Sequence, residues 1–521
     1  MSVADAHLML AFEGTGVPDW LRERLRDSPP AGVTLFREMN MESPEQVATL
    51  TASLQELSSS PLPLLIAVDQ EGGQLLGLTG STPFAGNMAL GAGGDTDLAF
   101  EVAAAMGDEL AAVGINVNYA PVADVASRPD NPSLGIRSFG ADPEAVARFT
   151  GAMVEGFRHA GIVATPKHFP GKGEARTDPH YELPLLDLDR ERLEAVELPP
   201  FQAAFEAGAE MVMMGHYVVP ALTGSHDLPT SASQRAIDGF VRSEMGFQGL
   251  VITDALDMGA LDQGPAQVVE IITMMRGGTD LLLCMPDPVL LDRVRVAVER
   301  GASRGLIPEE TLTRSRQRVE RLRRSVTQPP SDPAAVGSHL ELADELARRS
   351  VTVVRDQRGM LPLHLEPGAK ILALEPVPTN VTPADTTALY SPALGNALRA
   401  HHPDVTEIVY PHDPDSGDIS GVLSAAAGHD LVVLGTVTAT PGQAEMAKTL
   451  LATSTPVVTV ALRTPFDLSL YPEAETHLCT YSAHRPSMAA LARCLFEQPE
   501  GGGSLPAAIP GLYPVGHRWQ A

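Results

Sequence analysis

A chain of 521 residues is too long for one ordinary core and predicts two domains. A formal charge of −28 argues against nucleic acid and anionic membrane surfaces as partners, and three scattered cysteines are too few for a disulfide framework or a zinc cluster. With no apolar run long enough to span a bilayer, and no basic region leading into a hydrophobic stretch at the N-terminus, the expected location is the cytoplasm.

Up to residue 327, short apolar runs alternate with amphipathic segments. The runs Val33–Phe36, Leu64–Asp69, Ile115–Pro121, Gly161–Pro166, Met211–His216, Gly249–Asp254 and Asp280–Cys284 are expected to be buried strands. Helical spacing is expected over Ser43–Ser58, Leu98–Ala112, Pro143–His159, Pro199–Ala207, Arg235–Met245 and Gln267–Met275. Polar residues gather at the C-terminal ends of the strands. This is the pattern of a (β/α)8 TIM-like barrel, whose active site lies on the loops that follow the strands. A doubly wound open sheet is the rival, weakened because no Gly-x-Gly-x-x-Gly turn follows the first strand.

Glu309–Arg324 reads as a basic-faced helix, and Gln328-Pro329-Pro330-Ser331-Asp332-Pro333 as a linker by composition. Residues 328–349 thus form a linker and a connecting helix, Leu340–Ser350. The β-α alternation resumes in 350–521, with strands expected at Lys370–Glu375, Leu431–Gly435 and Pro456–Leu462, as in an α/β sandwich.

One stretch carries most of the chemistry. The run Lys167-His168-Phe169-Pro170-Gly171-Lys172-Gly173 through Thr177-Asp178-Pro179-His180 follows an apolar strand and is broken by proline and glycine. It therefore opens as a loop loaded with bases and acids, where catalytic groups tend to sit. The motif resembles glycoside hydrolase family 3, and the Asp178-Pro179-His180 part resembles its bacterial exo-β-N-acetylglucosaminidases. That likeness extends along nearly the whole chain, including the second domain of the longer members.

The resemblance implies a retaining exo-β-glycosidase needing no metal or organic cofactor and acting on a small carbohydrate substrate. Asp254, in Thr253-Asp254-Ala255, ends a strand where a carboxylate can attack an anomeric carbon, and family position makes it the nucleophile. Asp257 fits better as a cap for the next helix. His180, oriented by Asp178, is the candidate acid/base, since one imidazole can protonate the leaving oxygen and then deprotonate the incoming water. Lys167 and His168 are implied ligands of sugar hydroxyls, as are Asp69 and Arg137. Asp124 and His216 occupy polar positions at other strand ends, and His216 joins the substrate-binding candidates.

Two departures from the family pattern, Gln74 after Glu71-Gly72-Gly73 and Lys172 after Pro170-Gly171, put the glycon in question. A phosphorylase on the same scaffold and a non-catalytic sugar-binding protein are the alternatives. The sequence carries no signal for oligomeric state.

Overall fold

The computed structural model describes residues 2–327, 331–497 and 502–520. Eight strands form one all-parallel sheet: β1 (Leu8–Leu10), β2 (Gly32–Thr34), β3 (Leu65–Val68), and, after a small hairpin of β4 (Gln70–Gly72) and β5 (Leu75–Leu76), β6 (Val117–Asn118), β7 (Val163–Ala164), β8 (Met211–Met214), β9 (Leu250–Ala255) and β10 (Leu281–Cys284). Successive barrel strands pair with one another except β7 with β8, and β10 returns to β1 with Leu8 opposite Leu282. The seam between β7 and β8 is joined just beyond β7, where the Phe169 N–H donates to the Met213 carbonyl at 2.9 Å. The sheet is therefore a barrel, as the alternating pattern predicts.

Both faces of these strands are buried, so they read as continuous apolar runs. Met9, Leu65, Met211, Ile252 and Leu283 point inward and fill the barrel. Leu8, Leu10, Ile66 and Val68 point outward beneath the surrounding helices. The sequence reading passes over β1, a strand of three residues whose length is below what periodicity resolves.

The second sheet contains β11 (Thr352–Asp356), β12 (Ile371–Pro376), β13 (Val405–Tyr410), β14 (Leu431–Thr436), β15 (Val457–Ala461) and β16 (Thr476–Cys479), in the order β11-β16-β15-β14-β12-β13. All its pairings are parallel except β11 with β16. Part of the expected linker, residues 328–330, lies outside the described residues. The segment after it is fastened to the barrel: the Asp332 N–H donates to the Ala112 carbonyl at 2.9 Å, and the Gly337 N–H to the buried Glu109 carboxylate at 3.1 Å. Leu340–Ser350 then packs between a barrel helix, Asn87–Gly93, and Arg485–Phe496 of the second unit. Among the described residues no helix is long and apolar enough to cross a membrane.

Candidate active site

Asp254 lies one residue from the end of β9, where the strand opens into the barrel mouth. Its Oδ1 accepts the Ala255 N–H at 2.9 Å, and the residue borders a cavity of about 700 Å³. Asp69, Arg137, Lys167, His168 and His180 border the same cavity.

The His180 loop is shaped by its own turn. The N–H groups of Tyr181 and Glu182 both donate to the Asp178 carbonyl, at 3.0 and 3.3 Å. That turn brings the Asp178 carboxylate back onto His180, 2.6 Å from ring Nδ1 and 3.0 Å from the backbone N–H. Burial pushes the Asp178 carboxyl up, but its hydrogen bonds with His180 outweigh this and leave it below the ordinary value. Asp178 thus fixes the proton on Nδ1 and leaves Nε2 for chemistry, on a side chain 28% exposed.

The loop after β9 clamps this arrangement. The Gly259 N–H donates to the His180 carbonyl and the Ala260 N–H to the Pro179 carbonyl, both at 3.0 Å. A Cβ at Gly259 would stand 2.6 Å from the Tyr181 carbonyl oxygen, so a larger residue would displace the loop.

The opposite wall is a connected set of buried charges. The Lys167 ammonium lies 2.5 Å from Asp69 and 2.6 Å from Glu71. Arg137 grips Glu71 through Nε and Nη2, each at 2.8 Å, a bidentate pair that fixes both planes. Burial would raise the Glu71 carboxyl, but Arg137 and Lys167 reverse this and bring it down to about 2. Asp69 moves the other way, because burial outweighs the pull of Lys167.

His168 completes the wall. Its Nδ1 lies 2.8 Å from Asp124 and its Nε2 3.3 Å from Arg137 Nη2. A carboxylate on one nitrogen and a guanidinium donor on the other require a neutral ring protonated on Nδ1. Burial, reinforced by Lys172, Arg137 and Lys167, holds His168 well below the ordinary imidazole range.

Four positions singled out in the sequence find their places in the structure. His216 does not reach the cavity: it is fully buried, its Nδ1 2.8 Å from Ser231 Oγ and its Nε2 3.2 Å from the Ala255 carbonyl, so it braces the strand end carrying Asp254. Asp124 is likewise fully buried and serves His168 and the Lys172 N–H, at 2.9 Å, rather than a sugar. Asp257 caps no helix but borders the cavity. Gln74 is not a cavity residue. Its Oε1 accepts from Arg463 at 2.6 Å and its Nε2 donates to the Ala384 carbonyl at 2.8 Å, joining the barrel to the second unit.

Two contributors are missed by the sequence reading. Glu71 is the shared anion of Arg137 and Lys167, and its signal is available: an acid two residues after Asp69, in a chain that also supplies two buried cations. The other is Asn380–Thr386 of the second unit, which closes one side of the cavity and has no local signature.

Residues 16–322 match the Glycosyl hydrolase family 3 N terminal domain. Beta-hexosaminidase A of Pseudoalteromonas piscicida is 34% identical over 381 residues, covering 67% of this chain and 63% of that protein. A beta-hexosaminidase of Xylella fastidiosa strain M23 is 36% identical over 309 residues, 58% of this chain and 90% of that one. The solved structure of a glycoside hydrolase family 3 beta-N-acetylglucosaminidase from Paenibacillus sp. str. FPU-7 superposes with a TM-score of 0.91 at 33% identity, over 97% of this chain and 98% of the other. A barrel with a second α/β unit, a charged cavity at its mouth and a match over residues 16–322 converge on one conclusion: the chain belongs to glycosyl hydrolase family 3.

Proposed function

We propose that this glycoside hydrolase is a retaining exo-β-N-acetylglucosaminidase acting on small glycosides such as cell-wall fragments. The observation that carries the reading is one cavity bordered by both Asp254 and His180, with the Asp178 carboxylate 2.6 Å behind the His180 ring. In the first step Asp254 attacks the anomeric carbon while His180 Nε2 gives its proton to the leaving oxygen, so the aglycon departs neutral and the sugar becomes an ester of Asp254. In the second step His180 takes a proton from water, which attacks the same carbon and frees Asp254. Two displacements return the original anomeric configuration.

Asp69, Arg137, Lys167 and His168 hold the hydroxyls of the terminal sugar, and the ion pairs among them keep their donors and acceptors in place before substrate arrives. A cavity walled by Asn380–Thr386 suits a chain end rather than a passing polymer. Both names among the relatives and the Paenibacillus structure support a 2-acetamido glycon. We assign residues 1–327 to the catalytic unit, 328–349 to the connection and 350–521 to the second domain. A cytoplasmic site of action fits Cys284 and Cys479, both buried as free thiols.

The test is nitrophenol release from para-nitrophenyl β-N-acetylglucosaminide by wild type and Asp254→Ala, with and without phosphate. Phosphate-independent release that disappears in the variant is expected. A strict need for phosphate would replace hydrolysis with phosphorolysis, and full activity in the variant would remove Asp254 from its role.

A further inference from the structure

Among the cations around the cavity, Lys172 stands apart. The Lys167 ammonium is held by two carboxylates and the Arg137 guanidinium by one. Lys172 is 1% exposed and borders the cavity, yet its ammonium has no ion pair and no hydrogen-bond partner among the described residues. Only its backbone is fixed, by the N–H to Asp124 at 2.9 Å and by the carbonyl, which accepts from Asn131 Nδ2 at 2.8 Å. A buried cation without a partner is costly to keep, and the cavity is the direction in which a partner can be supplied.

An ammonium donates and never accepts, so the partner is an oxygen acceptor. Three classes compete: a carboxylate on the substrate, a sugar hydroxyl, and an amide carbonyl, which is the stronger acceptor of the two neutral groups. The cavity is bordered by Glu38, Asp69, Asp254, Asp257 and Asp385, with Glu71 and Asp124 behind its wall, and these outnumber Arg37, Arg137, Lys167 and Lys172. A further anion would enter against that excess, whereas a carbonyl would not. Lys172 and Asp254 border the same cavity; burial and then Arg137 lower the lysine from its ordinary value, and Asp124 and Asp254 oppose that shift. The group nearest the carbon that Asp254 attacks is the substituent on the next carbon of the ring.

We infer that Lys172 reads the sugar's 2-substituent, donating a hydrogen bond to the carbonyl oxygen of a 2-acetamido group and favouring N-acetylated over plain glycosides. The inference rests on the glycosidase reading above and deepens it. Lys172 is then a specificity determinant rather than part of the proton-transfer pair.

The experiment compares kcat/KM for the para-nitrophenyl β-glycosides of N-acetylglucosamine and glucose, in wild type and Lys172→Met, which keeps the length and removes the charge. The preference for the N-acetylated sugar should fall about 10- to 100-fold in the variant, the effect of one charged hydrogen bond lost from a dry site. An unchanged ratio, with both substrates slowed alike or neither slowed, would overturn the inference while leaving the glycosidase intact. A carboxylated aglycon whose turnover alone drops would overturn it in favour of an anion site.

A second measurement uses wild type only and is independent of folding of the variant. Replacing the N-acetyl by N-trifluoroacetyl weakens the carbonyl as an acceptor, and kcat/KM should fall by several-fold; equal rates would contradict the inference. No turnover of any of these glycosides by wild type would instead overturn the proposed function, and this inference with it.

Discussion

At the scale of single residues, the site separates groups that move protons from groups that hold position. His180 keeps one nitrogen on Asp178 and one free, so His180→Ala should lower kcat/KM by about 10²- to 10⁴-fold. The loss should be smaller for a substrate whose leaving group needs no protonation, such as a nitrophenyl glycoside. Equal losses on good and poor leaving groups would deny His180 the acid role. Asp178→Asn should slow the same step less and distort the pH profile, because the amide no longer fixes the ring with a charge. Glu71 is a holder. Its carboxyl sits at about 2 in the folded chain against an ordinary 4.5, so the folded state binds its proton less tightly than the unfolded state. The stabilisation is therefore complete above about pH 4.5 and is lost as pH falls toward 2. Glu71→Gln should cost about 3–5 kcal/mol at neutral pH, because Arg137 and Lys167 lose a shared buried anion. It should also flatten the acid limb of stability measured by urea unfolding; an unaltered acid limb would deny the network that role.

Elements decide which of these residues can meet. The loop from β7 delivers Lys167 and His168 to one wall and Asp178 and His180 to another, and the loop after β9 fastens the latter through Gly259 and Ala260. Gly259→Ala should displace the His180 turn and reduce kcat by an order of magnitude or more, with the unfolding midpoint little changed because the position lies at the rim. A variant with normal kcat would show that the clamp is dispensable. Much at this scale was legible in the sequence. The strands β3, β8, β9 and β10 are apolar runs buried on both faces, and the loop motif sits where proline and glycine break such a run. What was not legible depends on contacts distant in sequence. His216 and Asp124 carry the same polar signature at a strand end as Asp69, and only the packing of neighbouring strands decides that they face Ser231, Ala255 and His168 instead of the cavity. The three-residue β1 is short enough that only its pairing with β2 and β10 identifies it.

The barrel and the second unit share one contiguous apolar cluster, which includes Ile66 and Leu282 of the one and Leu372 and Val432 of the other, and one working surface. The second unit contributes Asn380–Thr386 to the cavity wall, and Gln74 holds that segment through the Ala384 carbonyl while binding Arg463, which in turn pairs with Asp385 at 2.7 Å. The Thr386 N–H returns a hydrogen bond to the Gln74 carbonyl at 2.8 Å, and Arg37 reaches Tyr390 from the barrel side. Gln74→Ala should therefore raise KM more than it lowers kcat and cost about 1–3 kcal/mol, since Arg463 loses a buried acceptor. A variant with unaltered KM would mean that the segment does not touch substrate. The central claim is that Asp254 carries the sugar as a covalent ester. The most direct measurement is mass spectrometry of the protein after reaction with 5-fluoro-β-N-acetylglucosaminyl fluoride, a substrate that forms the ester faster than water can cleave it. The account predicts a gain of one glycosyl unit on the peptide containing Asp254. Turnover with no adduct, or an adduct on another carboxylate, would contradict it.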